Sequence, residues 1–178
     1  IKMSKLNLWC GFDIREWYVN VDIVDGEWVD KVFDFEQFPY PFNDNTFDEV
    51  YCSMVMEHIY NLSQMINELV RICKDWAKIK IIVPYFSSPN LWWDLTHLRW
   101  FNTTTFVWFH SNSLKSFSKI RLVKQKIHFL SNPKFMKSVR WNIIPDFFVN
   151  LSQKIYERCF CYIFASSEIH FLLKIKKD

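Results

Sequence analysis

The chain has 178 residues, half of them hydrophobic, and a formal net charge of +3, which fits one domain that can bury a sizeable core. Its basic residues are scattered or stand at the C-terminal end and form no concentrated basic face, so nucleic acid is not expected as a partner. No run reaches the roughly 18 uncharged apolar residues of a membrane span. Five cysteines without a CxxC pair favour a reducing compartment, and we expect a cytoplasmic protein.

The first third of the chain predicts three short strands, at residues 5–9, 19–24 and 29–33. The chain starts almost directly on the first strand, which indicates a minimal domain or a fragment that lacks N-terminal helices. A whole helical crossover needs at least about 10–12 residues, so the chain between Gly11 and Asp22 is expected to form a turn or a very short helix. Two prolines in residues 36–46 predict a loop whose aromatic side chains can cover a ligand.

The middle of the chain predicts the most regular elements. Residues 47–53 form a fourth strand, residues 62–74 a helix, and residues 77–83 an apolar strand that is closed by a proline. The helix is indicated by apolar residues that repeat at intervals of three and four, with Arg71 and Lys74 in its last turn. Strands that alternate with helices imply a mostly parallel sheet.

The second half of the chain is richer in aromatic residues. Residues 85–99 form a polar and aromatic loop that is too long to serve only as a connector. The further elements expected are a short helix at residues 103–109, a strand with one solvated face at 120–130, two helical pieces at 135–164 that Pro145 interrupts, and a last strand at 167–176. The helical pieces are amphipathic, which fits a lid or a partner-binding face.

The balance of glycine and tryptophan is unusual. Glycine occurs twice and tryptophan nine times, whereas average usage would give roughly a dozen glycines. Several tryptophans stand in polar, turn-like surroundings where a backbone with positive φ would favour glycine: Trp9, Trp17, Trp28, Trp76 and Trp100. We hypothesise that many of them are glycine codons, UGA in the source genome, that were read as tryptophan. The alternative is true divergence in an A/T-rich genome, and UGG codons at these positions would support it.

One stretch of the sequence has the pattern of a nucleoside site. Residues 5–13, Lys-Leu-Asn-Leu-Trp-Cys-Gly-Phe-Asp, predict an apolar strand followed by a tight turn, and Asp22 ends the next strand. A turn built on a small residue lets backbone N–H groups approach a ligand, and a carboxylate at the end of the neighbouring strand can bind a ribose diol.

The order and spacing of these segments resemble the class I S-adenosylmethionine-dependent methyltransferases, in particular small domains with a shortened first helix. In that family the first motif usually reads Leu-Asn-Leu-Gly-Cys-Gly, and Trp9 stands here in place of a glycine. Residues 53–59, Ser-Met-Val-Met-Glu-His-Ile, are similar to the fourth motif. The resemblance implies an α/β fold, a Rossmann-like three-layer sandwich with a mostly parallel sheet and an antiparallel C-terminal strand.

The resemblance also implies S-adenosylmethionine as the cofactor and a methyl acceptor that is a small molecule or is linked to a carrier. Residues 1–178 are then one domain, in which residues 5–100 bind the cofactor and residues 101–178 supply the acceptor or lid segment and the closing strands. The residues expected at the cofactor are Asn7, Trp9, Cys10, Gly11, Asp22, Ile23, Asp34, Phe35, Ser53 and Glu57. Purely structural roles stay open for several of them, such as a turn cap for Asp22 and a small packed residue for Cys10.

Residues 94–99, Asp-Leu-Thr-His-Leu-Arg, are the best candidates for acceptor chemistry. They follow the fifth strand, and open α/β sheets bind ligands beyond the carboxyl ends of their strands. A histidine has a suitable unperturbed pKa to accept a proton, and we expect His97 to do so, with Asp94 or Arg99 as a group that orients it or binds an anion. His58 is expected to line the acceptor pocket. Asp94 and His97 alone are too few ligands for a metal, so no metal is expected. A hydrogen-bonded lock of the loop is the structural alternative.

There are two other interpretations of the function of the chain. If Trp9 is genuine, its indole can fill part of the cofactor site, and the chain is then an inactive, methyltransferase-like interaction domain. A nicotinamide-nucleotide Rossmann protein is disfavoured because GxGxxG and a long first helix are missing. In such folds the acceptor is set by variable loops.

Overall fold

The computed structural model describes residues 4–107, 119–129 and 143–177. Within these ranges seven strands form one sheet: β1 (Lys5–Leu8), β2 (Val19–Asp22), β3 (Lys31–Val32), β4 (Phe47–Ser53), β5 (Cys73–Pro84), β6 (Ile120–His128) and β7 (Glu168–Ile175). The helices are α1 (Leu62–Ile72), α2 (Pro89–Trp93), α3 (Ile143–Leu151) and α4 (Gln153–Ile155), and α4 continues into a π-helical turn, Tyr156–Phe160. In the described ranges no helix is both long and apolar enough to cross a bilayer.

The strand order in the sheet is β3-β2-β1-β4-β5-β7-β6. Strands β1 to β5 pair in parallel, and β7 lies between β5 and β6 and is antiparallel to both. The mostly parallel sheet with an antiparallel C-terminal strand is therefore confirmed. The strand order reverses between β1 and β4, and ligands of open α/β sheets bind in the crevice beyond the carboxyl ends of the strands at such a point.

The connection between β1 and β2 contains turns and no helix, as the sequence predicts. The amide group of Asn7 donates to the carbonyl of Asp13 at 2.7 Å and to Oδ1 of Asn20 at 2.9 Å. The same Oδ1 accepts the backbone N–H of Arg15 at 2.9 Å. Because Asn7 is buried, these bonds replace water at its amide, and they hold the short connection against both strands.

Several strand and helix ends differ from the predicted ones. Strand β2 ends at Asp22 and not at residue 24, because the side-chain Oδ1 of Asp22 accepts the N–H groups of Ile23 and Val24 at 2.8 and 3.1 Å and turns the chain out of the ladder. Helix α1 ends at Ile72, two residues early, and the chain passes directly into β5.

The predicted interruption at Pro145 is wrong. Pro145 lies in the first turn of α3, where a residue needs no N–H because no helical carbonyl precedes it; the break falls after Leu151. Residues 103–107 form turns where a helix was predicted, and residues 108 and 109 lie outside the described residues, as do residues 135–142 of the predicted helical pieces. The loop at residues 85–99 contains α2, which begins after Ser88 and its cap bond to the N–H of Asn90.

Two tryptophans outside the predicted ligand turn adopt the left-handed backbone conformation, Trp17 with φ +67° and Trp76 with φ +63°. Trp76 lies in a bulge of β5, where the pairing with β4 shifts between Cys73 and Lys78. Glycine is the usual residue at such a bulge position. Trp28 and Trp100 do not have a positive φ. The expectation of a glycine-like backbone is therefore wrong at those two positions.

Arg71, in the last turn of α1, fixes the loop of residues 36–46. Its guanidinium donates to the carbonyls of Tyr40 and Phe42 at 2.9 and 2.8 Å and to the carboxylates of Glu68 and Asp44 at 2.6 and 2.7 Å. Glu68 in turn accepts the N–H of Tyr40 at 2.7 Å. The five donors of arginine make such a fork possible, and lysine could not reproduce it.

We expect Arg71→Ala to lower the free energy of unfolding by about 3 kcal/mol, because it leaves half-buried acceptors without a donor. Lys74→Ala is the matched control, since Lys74 pairs with Asp48 on the surface and such pairs contribute about 0.5 kcal/mol or less. Urea denaturation followed by circular dichroism measures both. Equal losses in the two variants would contradict the assigned role of Arg71.

We expect Trp76→Gly to raise the free energy of unfolding by about 0.5–1 kcal/mol, because relief of the left-handed strain exceeds the entropy that glycine loses on folding. Trp28→Gly is the control: its side chain is similarly exposed, 65% against 57%, but its φ is not positive. The control is expected to lose stability by about 0.5–1 kcal/mol. A loss in both variants, measured by the same denaturation, would show that Trp76 suits its site.

Candidate active site

A tight turn follows β1 at the point where the strand order reverses. Its backbone takes positive φ at Trp9 (+55°) and at Gly11 (+47°), and the N–H of Cys10 donates to the carbonyl of Val21 in β2 at 2.9 Å. A Cβ atom at Gly11 would meet nothing within 4 Å. The turn therefore presents open backbone at the carboxyl end of β1, as a nucleoside-binding turn does.

The carboxylate of Asp22 lies under this turn and is only 5% exposed. Its Oδ2 accepts the N–H of Gly11 at 2.8 Å, and its Oδ1 accepts those of Ile23 and Val24. The remaining contact is with the thiol of Cys10 at 3.8 Å, a weak donor. Burial and the charge of Asp22 raise the pKa of Cys10 to about 11, so the thiol stays protonated, and a ribose hydroxyl could take its place on Oδ2.

The indole of Trp9 lies between the two sides of the crevice. Its ring centre is 5.7 Å from that of Phe35 and 5.2 Å from that of His58. Trp9 thus joins the turn after β1 to the segment that follows β4. This contact links the predicted cofactor residues with the predicted acceptor residues.

The segment after β4 and the loop after β5 are joined by their backbones. Ser53 ends β4, Glu57 and His58 follow it, and the N–H of Leu98 donates to the carbonyl of Glu57 at 2.8 Å. This bond brings His97 against His58, with their ring centres 4.7 Å apart. Two histidines that are far apart in the sequence therefore share one wall of the crevice.

A polar chain orients His58. Thr96 donates its hydroxyl hydrogen to Oδ1 of Asp94 at 2.6 Å, so the hydroxyl oxygen is free to accept from Nδ1 of His58, 2.8 Å away. The two hydrogen bonds from Thr96 lower the pKa of Asp94, which keeps that carboxylate charged. Thr96 lies in the predicted segment 94–99, but the sequence analysis gave it no role; the Asp-x-Thr spacing, which favours a turn closed by the aspartate side chain, is the signal that could have found that role.

His97 is held in one tautomer by the loop itself. Its Nδ1 lies 2.9 Å from the carbonyl of Leu91, which can only accept, so Nδ1 carries the hydrogen and Nε2 keeps its lone pair. Nε2 is 3.9 Å from Oδ2 of Asp94. Burial and then the neighbouring His97 lower the pKa of His58, so His58 is neutral at pH 7 and its Nε2 also keeps a lone pair.

Glu57 is the most unusual polar residue of the wall. Its side chain is fully buried, and neither carboxylate oxygen has a hydrogen-bond partner among the described residues. Burial raises the pKa of Glu57 to about 8. An unpaired carboxylate in a dry site is costly, and it needs a proton or a cation to neutralise it.

The other predicted site residues differ in how deeply they are buried and in what they bond. Phe35 is fully buried in a cluster of aromatic rings, whereas Asp34 is exposed and accepts a backbone N–H of the next turn. Ile23 is exposed beside the turn. Nη2 of Arg99 donates to the carbonyls of Ile59 and Tyr60 at 2.6 and 2.9 Å, so Arg99 fastens the loop, while its buried Nε has no hydrogen-bond partner among the described residues.

An apolar cavity of about 500 Å³ lies against α3 and the π-helical turn. Aromatic side chains supply much of its wall, among them Phe129, Phe148, Tyr156, Phe160 and Phe164. Tyr156 stacks on Tyr85 with ring centres 6.1 Å apart, and Tyr85 directly follows β5. The cavity therefore adjoins the same carboxyl edge of the sheet as the two histidines.

Comparisons with known proteins agree with this architecture. A family model described as a methyltransferase domain matches residues 15–79, and the comparison with curated proteins finds no match. Among solved structures, a SAM-dependent methyltransferase from Archaeoglobus fulgidus aligns with a TM-score of 0.65 and 17% identity, covering 96% of this chain and 85% of that one. YcgJ from Bacillus subtilis aligns at 0.58 and 14%, covering 98% and 92%.

The cyclase SpnF also has this fold, with a TM-score of 0.57 and 13% identity over 98% of this chain and 74% of that one. At such identities the likeness concerns the fold, and the family model concerns residues 15–79, from the connection between β1 and β2 to the middle of β5. In this fold, and in the match of residues 15–79 to a methyltransferase domain, the chain is similar to the class I S-adenosylmethionine-dependent methyltransferases.

Proposed function

We propose that this chain transfers a methyl group from S-adenosylmethionine to a small-molecule or carrier-linked acceptor. One observation supports the proposal most strongly: the Asp22 turn and two imidazoles, those of His58 and His97, border the same crevice, and each imidazole has a lone pair on Nε2. The first element suits a nucleoside and the second an acceptor that loses a proton.

On the cofactor side, Asp22 receives the ribose hydroxyls and the open backbone at Gly11 approaches the ligand. Trp9, Cys10, Ile23 and Ser53 border the same space, and Asn7, whose two N–H groups are already bonded, positions the turn. Phe35 and Asp34 border the adenine end, and Glu57 closes the crevice from below. S-adenosylmethionine supplies an electrophilic methyl group on a sulfonium when it is bound.

On the acceptor side, the residues align the acceptor and take its proton, which is most of what this reaction needs from the protein. His97 accepts the proton at Nε2, because its Nδ1 is committed to Leu91. His58 lines the acceptor pocket, and Asp94 holds it through Thr96. Asp94 thus acts on His58 more directly than on His97, from which it is 3.9 Å away.

The apolar cavity favours an acceptor with a large hydrophobic part. Its lining of aromatic side chains offers no charged partner, and it adjoins the edge where the histidines lie. A lipid-linked or other carrier-linked acceptor would place its apolar part there and its polar end at His58 and His97. Residues 101–178 then form the acceptor half of a single domain.

We also propose a cytoplasmic location. All five cysteines are unpaired, and four of them are buried. Unpaired cysteines are the usual state in a reducing compartment.

The alternative function is an inactive, methyltransferase-like interaction domain. The contact of the Trp9 indole with Phe35 and His58 supports it, since an indole between the cofactor and acceptor sides competes with a ligand for space. The cyclase SpnF is a reminder that this fold does not by itself determine the reaction.

Titration of the purified chain with S-adenosylhomocysteine tests the cofactor half. We expect Asp22→Asn to weaken binding about 10-fold or more, because one charge-assisted hydrogen bond to the ribose is lost. Asp25→Asn is the matched control: Asp25 follows the same strand but is exposed, and its carboxylate accepts the N–H of its neighbour, Gly26, at 2.9 Å. Equal binding by the two variants would remove Asp22 from the site.

Trp9→Gly separates the two functions. If the chain is an enzyme, this variant is expected to bind S-adenosylhomocysteine at least as tightly as the original chain, because glycine suits the positive φ and frees space. With methyl-labelled S-adenosylmethionine and a small-molecule and lipid extract, label should enter the extract and should fail to do so with His97→Ala. No binding by either the original chain or Trp9→Gly would support the interaction domain.

A further inference from the structure

We propose that Glu57, His58 and His97 bind a divalent transition-metal ion. A carboxylate oxygen of Glu57 and one ring nitrogen from each histidine lie within 4.8 Å of one another. Atoms bound to one such ion at about 2.0–2.2 Å are about 3–4 Å apart, so small rotations of the side chains bring the three ligands to an ion.

The hydrogen bonds around the site prepare both histidines as ligands. A histidine that binds a metal usually donates its other ring N–H to an oxygen, which fixes the tautomer. Here Nδ1 of His97 is bonded to the carbonyl of Leu91, and Nδ1 of His58 to Thr96, which is itself bonded to Asp94. Both Nε2 atoms therefore carry the lone pair that a metal requires.

Glu57 supplies the independent observation that points to a ligand. Its side chain has no exposure, and both of its oxygens are without a hydrogen-bond partner among the described residues. Buried carboxylates in folded proteins are almost always bonded. A cation bound to Glu57 satisfies these oxygens and compensates the charge in one step.

A second pair of histidines in the chain shows the contrast. His128 and His170 are closer still, with ring centres 4.1 Å apart. However, Nδ1 of His128 lies 2.8 Å from Asp146, and Nε2 of His170 lies 2.7 Å from Glu168. The carboxylates of Asp146 and Glu168 are each paired with one of these imidazoles. Beside His58 and His97, by contrast, the acidic side chain of Glu57 has no partner among the described residues.

The ligand set indicates the kind of ion. Two imidazoles and one carboxylate suit zinc, cobalt, manganese or ferrous iron, and they leave coordination positions open. An open position facing the crevice can take an oxygen of the acceptor and lower the pKa of its hydroxyl group. In the metal-bound form the Nε2 atom of His97 is a ligand, and the acceptor proton leaves to water.

The test is equilibrium binding of Co²⁺ to the untagged chain, freed of metal with a chelator, without any cofactor. We expect one equivalent to bind, with a visible absorption spectrum typical of mixed nitrogen and oxygen ligands, and Zn²⁺ to displace it. Glu57→Gln and His97→Gln are each expected to weaken Co²⁺ binding at least 10-fold. His170→Gln is the matched control and is expected to bind Co²⁺ as the original chain does.

Thermal unfolding gives a second readout. Zn²⁺ should raise the Tm of the original chain and of His170→Gln, because a ligand that binds only the folded state stabilises it, and should leave the Tm of His97→Gln unchanged. Should Glu57→Gln fail to fold, His97→Gln carries the test, since His97 lies in a loop. Less than one equivalent of Co²⁺, or equal affinities in His97→Gln and His170→Gln, would overturn the proposal. Because S-adenosylmethionine is not needed, this result is independent of methyl transfer.

Discussion

The bonds from Asp22 to the backbone of the neighbouring turn are the interaction on which the crevice depends. Neighbouring parallel strands are usually connected by a helix that packs on the sheet, but the connection between β1 and β2 contains only turns. The carboxylate of Asp22 holds Gly11 from below and ends β2 by binding Ile23 and Val24. Asn7 secures the far end of the connection. Buried side-chain bonds thus do locally what helix packing does elsewhere.

The opposite wall of the crevice is held in a similar way, by bonds between segments distant in the sequence. The backbone bond between Leu98 and Glu57 aligns the loop after β5 with the segment after β4. Asp94 and Thr96 then fix the ring of His58. This wall contains two imidazoles beside the buried acid of Glu57, which has no hydrogen-bond partner among the described residues, an arrangement that folding alone would avoid because it costs desolvation energy. Such costs are common where a site binds a ligand.

The regular elements of the parallel sheet could be predicted closely because their signals are local. The strand at residues 47–53 is confirmed at both ends, and α1 and the C-terminal strand are confirmed within about two residues. The predictions are wrong where a single side chain, or the position of a residue within a helical turn, decides where a strand or helix ends. Asp22 ends β2 by binding the N–H groups that follow it, and Pro145 is tolerated because it lies in the first turn of α3. Neither effect has a periodicity that a sequence pattern would reveal.

The sequence by itself determined the order of strands and helices, the turn at Gly11 and the acid at Asp22, because these depend on hydrophobic periodicity and on short spacings. It also drew attention to Trp9, Trp17 and Trp76, whose positive φ values agree with positions suited to glycine. Only the tertiary structure brought His97 against His58 and left Glu57 buried without a partner. Contacts between residues about 40 positions apart depend on how β4 and β5 pair and where the loops after them turn, and no local pattern encodes that distance.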